Sequence, residues 1–311
     1  TALPISGPVT DAELRATPVP ISGTVTASGP LTDTELRATA VPVSGPLTDT
    51  ALRATPVPIL DLCNIALGRV PGSKIFGGLG ERQGMSTGVA GEDVWRGNDL
   101  TPAPTSTTLI PTPSPSGEQM AVVSESANDT SAGTGVQTVS VNYIDSAGLE
   151  QEEIVTLNGT TPVNLAASDV RFVNFFHSES VGSGGVAAGN IKIHNSATVG
   201  LVYSMIYIGG NMTLVPHRMV PAGKTLVLTS WHAEESKNKR VVFRIRATSH
   251  DGILIPDVFL FKDTAYLIQG ASGSLPLNIA IPALAIVKIS AWGDAAGAEG
   301  SCGWSGVLVD D

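Results

Sequence analysis

From residue 119 onward the chain alternates apolar and polar positions in short runs, each closed by a cluster of Gly, Asn, Ser or Pro. In residues 136–145, Val139, Val141 and Tyr143 alternate with Thr138, Ser140 and Asn142, the period of a strand that buries one face. Around residues 240–247 the same period sets Val241, Phe243, Ile245 and Ala247 against Arg240, Val242, Arg244 and Arg246, and the first set is expected in a core. Strand-like runs also cover residues 119–126, 149–159, 160–165 and 169–180. After residue 190 eight more follow, at 191–195, 202–208, 212–220, 224–234, 239–249, 253–262, 275–293 and 303–310. Eight runs separated by turns such as PAGK, SKNK and HDG have the count and spacing of an antiparallel sandwich or jelly roll. No helix longer than two turns is expected there.

The first 58 residues read differently. "TDAELRATPVPISG" at Thr10 returns as "TDTELRATAVPVSG" at Thr32 and as "TDTALRATPVPI" at Thr48, offsets of 22 and then 16 residues. Thr10 with Glu13, and Thr32 with Glu35, have the layout of a capping box, so each copy predicts one helical turn. The third copy carries Ala51 in place of the Glu. The alternating prolines that follow impose an extended path, and Ser-Gly permits a turn. A unit with three apolar anchors cannot offset roughly 1 to 2 kcal/mol of backbone entropy per residue, and the unequal spacing argues against a self-stacking solenoid. The segment is therefore read as an arm laid on partner chains. Leu14, Leu36 and Leu52 are its successive plugs, and Arg15, Arg37 and Arg53 stand beside them as partners for carboxylates or as solvated charges.

Four segments result. Residues 1–58 are the extended repeat arm, 59–117 a Gly/Pro-rich connector, 118–190 a β-rich domain and 191–311 a C-terminal β-sandwich, a mainly β protein overall. Within the connector, "ILDLCNIALG" fits a strand or a helical turn, residues 76–84 and 86–99 have no clear period, and 101–117 form a Pro-rich extended piece. Charged residues are only 15% of the chain and apolar ones 42%, with 34 Gly and 21 Pro, a composition of turn-rich β-structure. The net charge of −10 disfavours nucleic acid as a partner and suits contact with proteins. No apolar run reaches the ~18 residues of a membrane span. No signal peptide opens the sequence, and a soluble protein made in a cytoplasm is expected.

Candidate chemistry is sparse. His177, His194, His217, His232 and His250 stand on separate runs in no metal-binding pattern, so no metal site and no cofactor are expected. Cys63 and Cys302 lie far apart, outside any CxxC pattern, and are read as unpaired. The Gly-rich stretches lack the strand, helix and Lys of a phosphate loop, and Ser305 in "GWSGV" reads as a sheet residue rather than a nucleophile. Glu150, Glu152 and Glu153 cluster on one strand, where they alternate faces and are expected in solvent. Tryptophan stacks on sugars, and Trp231 and Trp292 are the candidate glycan contacts; core packing is the commoner role. No catalytic residue is named.

Several ordered segments resemble one family. "EDVW" (92–95), "SESANDTSAGTGVQTVSV" (124–141), "EEIVTLNGTTPVNL" (152–165), "GSGGVAAGNI" (182–191), "PAGKTLVLTSWHA" (221–233) and the final "GVLVDD" are similar to virion structural proteins of tailed bacteriophages. The "LTDTELRATPVPVSG" phrase also looks like a repeat that such proteins carry near their N-termini. The resemblance implies a non-enzymatic virion component, made in the host cytoplasm. It implies an exposed, homotrimeric β-sandwich and an arm anchored on capsid, portal or tail subunits, in a capsid decoration or head-fibre role. The alternative is a tail or neck fibre that binds a host-surface glycan through Trp231, Trp292 or the HDG loop. A depolymerase is a third reading, for which the family supplies no catalytic residues.

Overall fold

A computed structural model describes residues 62–88, 91–268 and 272–311. The arm and its residues Leu14, Arg15, Leu36, Arg37, Leu52 and Arg53 lie outside the described residues. A short helix α1 (Leu62–Ala66) is followed by strands β1 (Ser73–Met85), β2 (Glu92–Asp93), β3 (Met120–Ser124), β4 (Val136–Asp145), β5 (Glu150–Thr156), β6 (Val163–Asn164), β7 (Val170–Val181), β8 (Ile191–Asn195) and β9 (Thr198–Ile206). The chain continues through β10 (Arg218–Met219), β11 (Lys224–Glu235), β12 (Val241–Ala247), β13 (Ser249–His250), β14 (Ile253–Leu254), β15 (Leu260–Leu267), β16 (Ser272–Ile281), β17 (Ile286–Gly293) and β18 (Ala298–Asp310). Every ladder between them is antiparallel, and the protein is mainly β.

Two sheets, ordered β1-β18-β11-β16 and β10-β17-β12-β15, enclose one core. With every link except β12 to β15 crossing from one sheet to the other, this strand order is that of an eight-stranded jelly roll. Its inner faces are the alternating sets of the sequence. Val241, Phe243, Ile245 and Ala247 are buried against Leu226, Leu228, Trp231 and Leu308, while Arg244 and Arg246 point to the outer face. Each large apolar side chain buried here contributes roughly 1.5 to 3 kcal/mol.

Between β2 and β10 the chain leaves the jelly roll and builds a second, smaller lobe. There β6-β3-β8-β9 faces β5-β4-β7 across a core that includes Val122, Val139, Val141, Tyr143, Phe176 and Ile193. Asp129, fully buried, ties two loops of this lobe together. Its Oδ1 accepts from the backbone N–H of Val136 (2.7 Å) and Ala188 (2.9 Å), and its Oδ2 from Ser124 Oγ (2.6 Å) and the N–H of Gly189 (3.0 Å).

Three expectations need correcting. Residues 73–85, read as connector without a period, form β1, the edge strand paired with β18 from Ser73↔Val309 to Met85↔Ala298. Its glycines hide the alternation because a neighbouring segment presses on it: a Cβ on Gly78 would lie 2.9 Å from Pro216 Cα, and one on Gly80 2.5 Å from Pro216 Cδ. Residues 191–206, grouped by sequence with the C-terminal sandwich, form β8 and β9 of the inserted lobe, because Met120–Ser124 pairs with β8. The run 275–293 is two strands in different sheets, split where Pro282 and the positive φ of Leu284 turn the chain. The segment 59–68, open between strand and helix, contains helix α1.

Because four donors converge on Asp129 in a buried place, Asp129→Ala is expected to lower stability by roughly 3 to 5 kcal/mol. Urea unfolding checks this, with Asp129→Asn, which keeps one acceptor oxygen, expected between the two.

Candidate functional site at the lobe junction

Both stems of the inserted lobe leave from the same edge of β17. β2 pairs at Ser290↔Asp93 and Ala291↔Glu92, and β10 pairs at Arg218↔Val287 and Met219↔Ile286. At this junction the chain buries charges that composition conceals. Asp93 is fully buried, with Lys288 Nζ 2.9 Å from its Oδ1, while the N–H of Ile110 donates to its Oδ2 at 2.9 Å. Arg82, from β1, places Nη2 2.7 Å from Glu92 Oε2, and its Nη1 donates to the carbonyls of Asp93 (3.1 Å) and Thr107 (3.0 Å). These contacts staple the Pro-rich strap after β2 onto the jelly roll. The strap was expected to be extended, and no helix or strand is present in residues 101–117.

His217 and Arg218 come from the returning stem. His217 Nε2 lies 3.9 Å from Asp93 Oδ1, yet burial outweighs that attraction, Lys288 and Arg218 oppose protonation, and the pKa is pushed down to about 3. Arg218 Nη1 donates to the carbonyls of Val215 (2.8 Å) and His217 (2.6 Å), and burial pushes its pKa down to about 9. Asn174 of β7 closes the joint: its Nδ2 donates to Met219 O at 3.0 Å and its Oδ1 accepts from Met219 N at 2.7 Å. Two apolar clusters complete it, Ile144 and Phe172 against Met219 and Ile286, and Trp95 and Leu100 against Val202 and Val215.

Beside this joint a cleft of about 510 Å³ opens between β1 on one wall and β4, β5 and β7 on the other, with Arg218 among its lining residues. Lys74 and Glu150 bridge across it at 2.5 Å. Of the glutamates of β5, Glu150 and Glu152 are exposed and Glu153 half-buried, and they are engaged as well: Ser140 Oγ donates to Glu152 Oε1 at 2.5 Å, and Glu153 accepts from the N–H groups of Ala166 (2.6 Å) and Ala167 (3.2 Å).

The expected glycan contacts divide. Trp231 is 1% exposed in the jelly-roll core, its Nε1 donating to Asp263 Oδ2 at 2.9 Å, so the reading of Trp231 as a sugar platform is corrected. Turning it outward would cost roughly 3 to 5 kcal/mol, the scale of deleting a buried Trp. Trp292 is half-buried on the outer face, with the Arg244 guanidinium 4.4 Å from its ring and 4.3 Å from that of Phe261. The HDG loop at 250–252 is exposed. Among the described residues no group of three His, Cys, Asp or Glu is placed to hold a metal ion, and Cys63 and Cys302 form no disulfide. Sequence reasoning passed over Arg82, Asp93, Arg218 and Lys288, and weighed His217 only as a metal ligand. Alternation gave no signal for Lys288, which in "AIVKISA" lies on the face opposite Val287, Ile289 and Ala291 and reads as solvated.

No family model and no curated protein matches the sequence. Among solved structures, a chain of the cowpea mosaic virus top component, naturally occurring empty particles, aligns at 9% identity over 63% of this chain and 82% of that chain, with a TM-score of 0.19. A chain of infectious bursal disease virus, Gx strain, aligns at 12% identity over 76% of this chain and 72% of its own, with a TM-score of 0.24. A chain of T=1 particles derived from infectious bursal virus gives 10% identity, 77% and 70% coverage, and a TM-score of 0.24. At these TM-scores the superpositions define no shared fold, and the assignment of a jelly roll rests on strand order.

His217 predicts a pH response. Between its ordinary value near 6.5 and about 3, the unfolded chain binds a proton that the folded chain refuses, so stability is full above that window and falls as pH drops through it. The urea midpoint is expected to decline from pH 6.5 to 5, and His217→Gln to flatten the slope by about one proton, worth about 1.4 kcal/mol per pH unit. His194, also lowered chiefly by burial, supplies a parallel decline that His217→Gln leaves in place.

Proposed function

We propose that the protein is a non-enzymatic structural component of a tailed-phage virion, of the capsid decoration or head-fibre type. The arm at residues 1–58 anchors it to capsid, portal or tail subunits, and a homotrimer of the β-sandwich is exposed on the particle. The observation that carries this reading is the combination of one phrase written three times with a jelly roll behind it. Repeated Leu/Arg anchors suit a surface that offers the same pocket many times, as a shell of identical subunits does. Jelly rolls recur among viral capsid and lectin domains, although a fold alone does not assign a function. The resemblance of the segments quoted above to phage virion proteins supports the same reading. The homotrimer is supported by the exposed Phe261 and Tyr266 on the edge strand β15, apolar surface of the kind that marks contacts between chains.

A second reading, a tail or neck fibre that binds a host-surface glycan, is favoured by the half-exposed Trp292 and by the use of jelly rolls as lectins.

Residues 61–311 form a compact unit of their own, so removal of 1–58 is expected to leave a folded trimer by sedimentation. Supplied during particle assembly in place of the full chain, the shortened protein is expected to stay behind when particles are banded on a density gradient. Co-banding at the full-length level would defeat the arm as anchor and place docking in the sandwich.

A further inference from the structure

Buried cations at the lobe junction are treated unequally. Arg82 has Glu92 and Lys288 has Asp93, but Arg218, 4% exposed, faces no carboxylate among the described residues. Its Nη1 is held by two backbone carbonyls, which fix the guanidinium without neutralising it. A lone buried charge is costly, and the cost falls when an anion docks. Arg218 lines the cleft between the lobes, whose volume of about 510 Å³ lies in the range of small-ligand sites.

The other lining groups narrow the ligand. Phe175, 5.6 Å from the Arg218 guanidinium carbon, and Phe76 on the facing strand offer aromatic surface to an apolar face. Among the described residues the Asn142 side chain makes no hydrogen bond. Glu152 stands opposite Asn142 in the β4–β5 ladder, on the same face, and keeps Oε2. Amide and carboxylate groups beside aromatic rings match the alternating hydroxyls and C–H faces of a pyranose. Glu150 and Glu152 in the lining disfavour a doubly charged phosphate, whereas a single carboxylate matches the one unpaired cation.

We propose that this cleft binds an acidic sugar, with the carboxylate on Arg218, the ring against Phe175 and the hydroxyls on Asn142 and Glu152. The site deepens the glycan-binding reading with residues other than the tryptophans, and it does not depend on the arm. Particle banding therefore tests the anchor and sugar binding tests the cleft, each without the other.

Full-length protein is titrated calorimetrically with glucuronate, galacturonate and N-acetylneuraminate at millimolar concentration, each beside its methyl ester. Saturable binding of at least one acid is expected, weakened about tenfold in its ester, which keeps the body and loses the charge. Arg218→Met is expected to weaken it by a similar factor. Asn142→Leu, at a half-buried rim position that leaves the joint intact, is expected to weaken it several-fold. The proposal is overturned if none of the three acids binds, or if an ester binds as well as its acid. It is equally overturned if binding survives both Arg218→Met and Asn142→Leu, or if tetraglutamate binds where the sugars do not.

Discussion

A single buried carboxylate holds the two lobes to a common frame. An inserted domain must leave and re-enter its host at neighbouring points, and here both points lie along one edge of β17. Asp93 sits where they meet. It pairs with Lys288 of β17, accepts from Ile110 of the outgoing strap, and stands 3.9 Å from His217 of the returning stem. Removing one partner from such a pair leaves the other charge buried, a loss of roughly 3 to 5 kcal/mol. That is why the strap can run through residues 101–117 without helix or strand and still be fixed at its start. Burial in the same joint keeps His217 neutral against the pull of Asp93, and the charges of Lys288 and Arg218 add to the opposition.

How much of this was legible follows from what each residue answers to. Strands that bury one face against a core wrote themselves as alternation, so β4 and β12 appear with the predicted side inward. β1 did not, because its inner positions must be glycine to admit Pro216, and a glycine carries no hydrophobic mark. Strand grouping was hidden for another reason. Periodicity reports that a strand has a buried face, but not which sheet supplies the neighbours, so β8 and β9 looked like part of the C-terminal sandwich until their pairing with β3 assigned them to the insert. Trp231 was misplaced because an aromatic residue reads alike on either face. Its neighbours in the strand, the buried Leu228 and Ala233 and the half-buried His232, make the inward turn understandable only once the register is known.

The junction charges were the least legible part. In "AIVKISA" Lys288 lies on the face opposite Val287, Ile289 and Ala291, where a base reads as solvated, so its burial answers a tertiary demand that the pattern does not show, and "VPHRMV" is too short to show a period. For Lys288 that demand is the pair with Asp93. For Arg218 the backbone carbonyls of the returning stem account for its orientation but leave its charge unanswered. The fold thus spends stability at Arg218 while pairing Arg82 with Glu92 and Lys288 with Asp93, and Arg218 is the one of these three cations that lines the cleft.

The two functional ends of the chain follow from this division. In the proposed reading, an arm of short repeats with three apolar anchors each gains stability only from what it lies on, so its free energy would belong to the assembled particle rather than to the monomer. The double-lobed body, by contrast, is stabilised by its own cores and presents its edges, its outer faces and the cleft to the surroundings. In the proposed reading each half therefore serves where its physics allows: the repeats as an anchor that multiplies weak contacts, and the rigid lobes as the surface met by partners outside. Weak contacts linked in series bind far more tightly than any one alone, provided their spacing matches the sites. The unequal offsets of 22 and 16 residues then become a measure of the partner surface, since the span between plugs must fit the distances between its pockets.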